Sequence, residues 1–99
     1  MITYIANYKE FNDEKNAPSV AEGVRKTEVP KKHEILKYMK SFEADVVCPA
    51  LVRDEVTKKE TKLTLIYYTD GEFLWDERVI YHFDKYNISL NEDFLKKIS

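Results

Sequence analysis

Asp70-Gly71 lies between two runs, Leu63–Thr69 and Glu72–Trp75, that are rich in aliphatic and aromatic residues. Asp-Gly suits both central positions of a type I′ turn, which require positive φ, and such a two-residue loop joins antiparallel strands. This turn sets a register: Thr69 faces Glu72, Tyr68 faces Phe73, Tyr67 faces Leu74 and Ile66 faces Trp75. Because side chains alternate, Ile66, Tyr68, Phe73 and Trp75 share one face, and Leu63, Leu65, Tyr67 and Leu74 share the other. Both faces are largely apolar. A chain with this hairpin must cover its sheet on two sides or meet a partner with one of them.

The flanking sequence extends the hairpin. Ala44 to Val52 is apolar and β-branched and reads as a strand, in which Pro49, lacking an N–H, points to an edge position or a bulge. The polar run Thr57-Lys58-Lys59-Glu60 turns it into a strand from about Lys62 to Thr69. Upstream, Ile35, Leu36, Met39 and Phe42 form one stripe of a helix between Pro30 and Phe42. Downstream, Asp76 caps a helix from Glu77 to about Tyr86 whose inner stripe is Val79, Ile80, Phe83 and Tyr86, and Asn87 ends it in a left-handed conformation. Ser89-Leu90-Asn91-Glu92 matches a capping box, opening a last helix with Leu90, Phe94, Leu95 and Ile98 inward. Residues 1–29 show no clean period and read as a loosely structured segment, with a short helix at 19–24 after Pro18-Ser19. The expected class is α+β in one domain, 1–99: a three-stranded antiparallel meander packed against two to four helices, in the order α-β-β-β-α-α.

Several function classes are disfavoured by the same sequence. Sixteen Lys+Arg stand against eighteen Asp+Glu. The basic pairs Lys31-Lys32, Lys58-Lys59 and Lys96-Lys97 are interleaved with acids rather than gathered into a phosphate-binding face, so no nucleic-acid partner is expected. No apolar run is long enough for a transmembrane helix, and Met1 to Glu10 does not resemble a signal peptide. The expectation is a cytoplasmic protein without a membrane partner. Gly23 and Gly71 cannot build a nucleotide-binding glycine loop, and one cysteine allows neither an internal disulfide nor a cysteine zinc cluster.

No catalytic constellation, metal site or cofactor site assembles from the residue spacing. Cys48, on the strand face of Val46 and Ala50, reads as a small buried hydrophobe. His33 and His82 lack zinc-site spacing, and His82 falls at the border of the helix stripe. Asp70, Glu72, Asp76 and Glu77 cluster around the hairpin tip and helix start, where turn and cap roles account for Asp70 and Asp76. Tyr81 projects from the polar side of its helix with Arg78 and Lys85, and Tyr and Arg are enriched among interface hot spots.

The segment Tyr67 to Trp75, followed by Tyr81 to Tyr86 and Leu90-x-x-x-Phe94, resembles the tail of small uncharacterised bacterial proteins. There an aspartate-glycine turn leads to a tryptophan, a tyrosine-bearing helix and a leucine-led helix. Asn91 stands where that pattern has a proline. Some of these proteins resemble immunity partners of bacterial toxin systems. The resemblance therefore implies a small neutralising protein that binds a toxin domain, and it supplies no catalytic residue.

The leading expectation is thus a non-enzymatic interaction module whose partner, a toxin domain, meets Asp70, Glu72, Asp76, Glu77, Arg78 and Tyr81. Complementary charge would favour a basic partner surface. One alternative is a ligand-binding or enzymatic domain with an aromatic pocket of Tyr68, Phe73, Trp75 and His82. Another is self-association through an uncovered sheet face.

Overall fold

Around Asp70-Gly71 the chain reverses between antiparallel strands, but the register differs from the type I′ expectation by two residues: Tyr68 faces Trp75 and Thr69 faces Leu74. The Asp70 side chain is the reason. Its Oδ1 accepts the N–H of Glu72 (2.9 Å) and of Phe73 (2.7 Å), drawing four residues into the loop. Gly71 supplies the positive φ there, at 95°. A slip of two leaves side-chain alternation intact, so Tyr68 and Trp75 still share a face and Tyr67 and Leu74 the other.

The computed structural model describes residues 2–98. Along the chain run β1 (Thr3–Tyr4), α1 (Lys9–Asn12), a 3-10 turn (Val20–Gly23), α2 (Lys32–Met39) and β2 (Val46–Asp54). They are followed by β3 (Lys59–Thr69), β4 (Phe73–Asp76), α3 (Glu77–Tyr86) and α4 (Glu92–Ile98). The class is α+β, as expected, but the sheet has four strands in the order β1-β4-β3-β2, not three. The added strand, β1, runs parallel to β4, with Thr3 beside Phe73 and Tyr4 beside Leu74. Two residues are too few to show a strand period, so this pairing leaves no local signal.

The segment 2–29 is docked rather than loose. Ile5, Ala6, Tyr8, Phe11 and Val20 all enter the core. The expected short helix is the 3-10 turn, opened by Ser19 with Glu22 closing a capping box. Gly23 lets the Tyr8 ring pass: a Cβ there would sit 2.5 Å from the Tyr8 hydroxyl and 2.9 Å from Cζ. That hydroxyl in turn accepts the Ser89 N–H (2.9 Å), joining the N-terminal segment to the α3–α4 loop. Gly23→Ala is therefore expected to cost about 1–3 kcal/mol through this overlap, read as a lowered urea midpoint. An unchanged midpoint would show that Tyr8 moves freely.

On the Trp75 face the indole packs against Tyr38, Phe42 and Phe94, and its N–H donates to the Met39 carbonyl (3.1 Å). Residues of α2 and α4 thereby cover one side of β4. On the other side, Tyr4 donates to Asp76, and the Arg78 guanidinium stacks between the Phe11 and Tyr67 rings. The N-terminal segment thus contributes the second cover that the two-faced hairpin demanded, but only over the centre of the sheet.

Asp76 caps α3 and Asn87 ends it at a φ of 56°, both as expected. The last helix starts two residues later than a Ser89 cap would place it, because Asn91 Oδ1 accepts the N–H of Asp93 and Phe94. The β2–β3 turn occupies residues 55–58 rather than 57–60. Asp54 Oδ1 binds the Val56 and Thr57 amides there (both 2.9 Å), and Lys58 takes the left-handed position.

Candidate interaction surface

Three aspartates organise the chain reversals by one repeated arrangement. In each, Oδ1 accepts backbone N–H groups two or three residues ahead, while Oδ2 faces a tyrosine hydroxyl and a cation. Asp54 Oδ2 receives Tyr81 (2.7 Å) and Tyr86, with Lys85 Nζ 3.5 Å away. Asp70 Oδ2 receives Tyr38 (2.6 Å) and Lys97 (3.0 Å). Asp76 Oδ2 receives Tyr4 (2.6 Å) and Arg78 (2.9 Å), and its Oδ1 binds the Arg78 amide (2.8 Å) and Nε (3.1 Å).

Burial disfavours charge on Asp54 and Asp70, but hydrogen bonding reverses the outcome. The Tyr86 and Tyr81 hydroxyls and two turn amides hold Asp54 well below the usual carboxylate range. Tyr38, the Phe73 and Glu72 amides and Lys97 do the same for Asp70. Burial raises the Tyr4 and Tyr38 hydroxyls, and the adjacent carboxylates push them further up. These tyrosines remain donors.

The six residues expected to meet a partner are accordingly placed in different roles. Asp76 and the Asp70 carboxylate are buried, and both are engaged within the chain. Glu77 accepts the Tyr68 hydroxyl. Arg78 is held by Asp76 and also donates to the Phe11 carbonyl and the Tyr67 hydroxyl. Tyr81 is half-buried, because the β2–β3 turn packs on the side of α3 that a helical wheel assigns to solvent. Glu72 is the one exposed residue of the six, and its carboxylate pairs with Lys97 (2.9 Å).

The four residues of the aromatic-pocket alternative form no cavity together. Phe73, Trp75 and His82 are core residues. Trp75 contacts Tyr38, Phe42 and Phe94, whereas His82 contacts Phe11, Tyr81 and Tyr86. His82 is fully buried, not at a border. Its Nδ1–H donates to the Arg78 carbonyl (2.7 Å), and its Nε2 accepts the Glu55 N–H (2.9 Å). Both nitrogens are occupied, and burial lowers its pKa, so the imidazole is a neutral structural bridge. Tyr68 meets Glu77 instead. A concavity of about 380 Å³ beside Tyr8, Gly23 and Ser89 holds none of the four. Its polar groups Glu22 and Asn91 already cap the 3-10 turn and α4.

What remains is the strand side. β2 is an edge of the sheet, as Pro49 suggested, and its register with β3 slips between Val47 and Leu51, across Pro49. Relative exposure is 51% at Val46, 61% at Val47, 46% at Leu51 and 42% at Leu63. The apolar run 44–52 reads as a strand with Cys48 buried beside Val46 and Ala50. Instead α3 lies beside the far end of the hairpin, at Asp54 and Glu55, leaving Val46 and Val47 open on both faces. For the same reason Cys48 is half-buried rather than buried. The sequence signal that could have located this surface is Pro49: once it marks an edge, the apolar residues beside it become exposed ones.

No family model, curated protein or solved structure matches this chain. Its surface therefore has to be read from its own chemistry. Among the described residues, no buried polar side-chain atom lacks a hydrogen-bond partner, and no cluster of three or more His, Cys, Asp or Glu is placed to hold a metal ion. No described helix is long and apolar enough to cross a membrane. Among the described residues, the exposed apolar edge at β2 is the largest group of exposed aliphatic side chains on one element.

Proposed function

We propose that this chain is a non-enzymatic protein-interaction module that engages its partner through β2 and the adjoining part of β3. The observation that carries the reading is the run of exposed Val46, Val47 and Leu51 on an edge strand, with Leu63 beside it. An edge strand offers unpaired backbone groups to a second chain, and exposed apolar side chains on it give that pairing affinity. Enzymatic chemistry is disfavoured because the acids and the histidine nearest to a catalytic arrangement are occupied by turns, caps and tyrosines. The resemblance of residues 67–94 implies a toxin domain as the partner of a different, acidic surface. The acidic route through Asp70 and Asp76 is taken up by Lys97 and Arg78.

Site-specific photo-crosslinking tests this. With a photoreactive residue at position 47 or 51, expressed in the native cell, discrete adducts are expected. The same residue at exposed position 15 is expected to give none. Absence of adducts above that control at both strand positions would refute the proposed surface.

A further inference from the structure

The β2 strand carries a pattern complementary to itself. Asp45 stands just before it and Arg53 near its end, with Pro49 midway and Val47 and Leu51 flanking the proline. Val47 pairs with Ile66, Leu51 with Thr64 and Arg53 with Glu60, so these three side chains lie on one sheet face. All three are exposed.

We propose that the partner of this surface is a second copy of the chain, joined by antiparallel pairing of the two β2 strands about a two-fold axis at Pro49. The inference rests on the interaction reading above and names its occupant. In this pairing Val47 lies opposite Leu51 of the second copy, and Asp45 lies opposite Arg53 of the second copy, each contact occurring twice. Pro49 meets its own equivalent. In an antiparallel ladder every second residue pair exchanges no hydrogen bond across the new interface. The Val52 carbonyl accepts the Thr61 hydroxyl on the β3 side, so Leu51 and Arg53 turn their own backbone groups toward the new interface. Pro49, in the same alternation, leaves the central pair without its two donors, one reason for weak association. Other registers lose the match. A shift by one residue sets Asp45 against Val52, and shifts by two set it against Glu55 or Leu51.

Arg53 makes one long, exposed ion pair, which it can exchange for this role. It lies 4.0 Å from Glu55 at its Nε, and its side chain is 56% exposed. A single strand pair lies at the small end of specific interfaces, so the association is expected to be weak and visible at high protein concentration.

Charge reversal tests the proposal on the intact protein. In sedimentation equilibrium up to about 0.5 mM, the wild type is expected to form a dimer. Asp45→Arg and Arg53→Asp, each alone, place like charges opposite one another and are expected to weaken it at least about tenfold. An equimolar mixture of the two variants restores both opposite-charge contacts and is expected to dimerise. Circular dichroism confirms that the variants fold, and recovery on mixing shows it independently. Dimers of either variant alone equal to wild type, or a mixture that stays monomeric, would overturn the strand pairing. A wild type that stays monomeric would overturn self-association while leaving the interaction reading to the crosslinking result. In that experiment adducts at twice the chain mass support the second copy, and adducts to other polypeptides alone count against it.

Discussion

Asp76→Ala is expected to cost about 3–5 kcal/mol of folding stability, because it removes one partner of a buried ion pair and leaves the other behind. Asp76 is fully buried and receives four hydrogen bonds, three of them from Arg78 and one from Tyr4. Alanine removes the cap of α3, a loss of about 1 kcal/mol by itself. The larger part comes from the Arg78 guanidinium, whose side chain is only 18% exposed and would retain just the Phe11 carbonyl and the Tyr67 hydroxyl. Tyr4→Phe removes a single hydrogen bond to a charged acceptor and is expected to cost about 1.5–3 kcal/mol at most. Asp76→Asn keeps a capping oxygen but not the charge and should fall between Tyr4→Phe and Asp76→Ala. Urea denaturation followed by circular dichroism ranks the three. If Asp76→Ala lost less than about 1 kcal/mol, the cost of burying the charges would have to cancel the pair's attraction.

That the cap at Asp76 was visible in the sequence, while its partners were not, shows where local reasoning ends. An N-cap and a left-handed C-cap depend on a few neighbouring residues, so Asp76 and Asn87 could be assigned from their positions alone. The sheet faces were legible for a different reason. The Asp70 carboxylate widened the turn, but by two residues, and a slip of two returns every side chain to its own face. A slip of one would have inverted the hairpin.

The contacts that give the structure its character join distant positions. Tyr4 reaches Asp76 across 72 residues, Tyr38 reaches Asp70 across 32, and Tyr81 reaches Asp54 across 27. Helical periodicity puts Tyr81 on a polar side, which is correct for the isolated helix. It cannot show that the β2–β3 turn occupies that side. The same gap hid the exposed apolar edge, since β-branched residues look alike in a covered strand and an open one. Pro49 points to the open case, and the course of α3, short of Val46 and Val47, decides it.

Acid should destabilise this protein in two stages, and the aspartate arrangements set the second and steeper one. Burial depresses the His82 pKa, so the unfolded chain takes up a proton at this site, below its ordinary value near about 6.5, before the folded chain does. Stability therefore begins to fall as pH drops through that value. Asp54 and Asp70 add to the same direction. Both are held charged well below the ordinary carboxylate pKa of about 3.9. Their contribution is complete above that pH and is lost as the pH falls below it. While the unfolded chain is protonated and the folded chain is not, each group contributes a slope of about 1.4 kcal/mol per pH unit. Two such carboxylates give about 2.7 kcal/mol per unit below pH 4. Urea midpoints measured from pH 7 to pH 2.5 should show this change of slope. Asp54→Asn and Asp70→Asn should each remove about half of the steep segment and leave the shallow one, because asparagine keeps an oxygen for the turn amides and loses only the titrating charge. Variants whose acid limbs run parallel to the wild type would mean that the two tyrosine-bonded aspartates do not govern acid stability. The proton uptake would then have to be assigned to the other carboxylates of the chain.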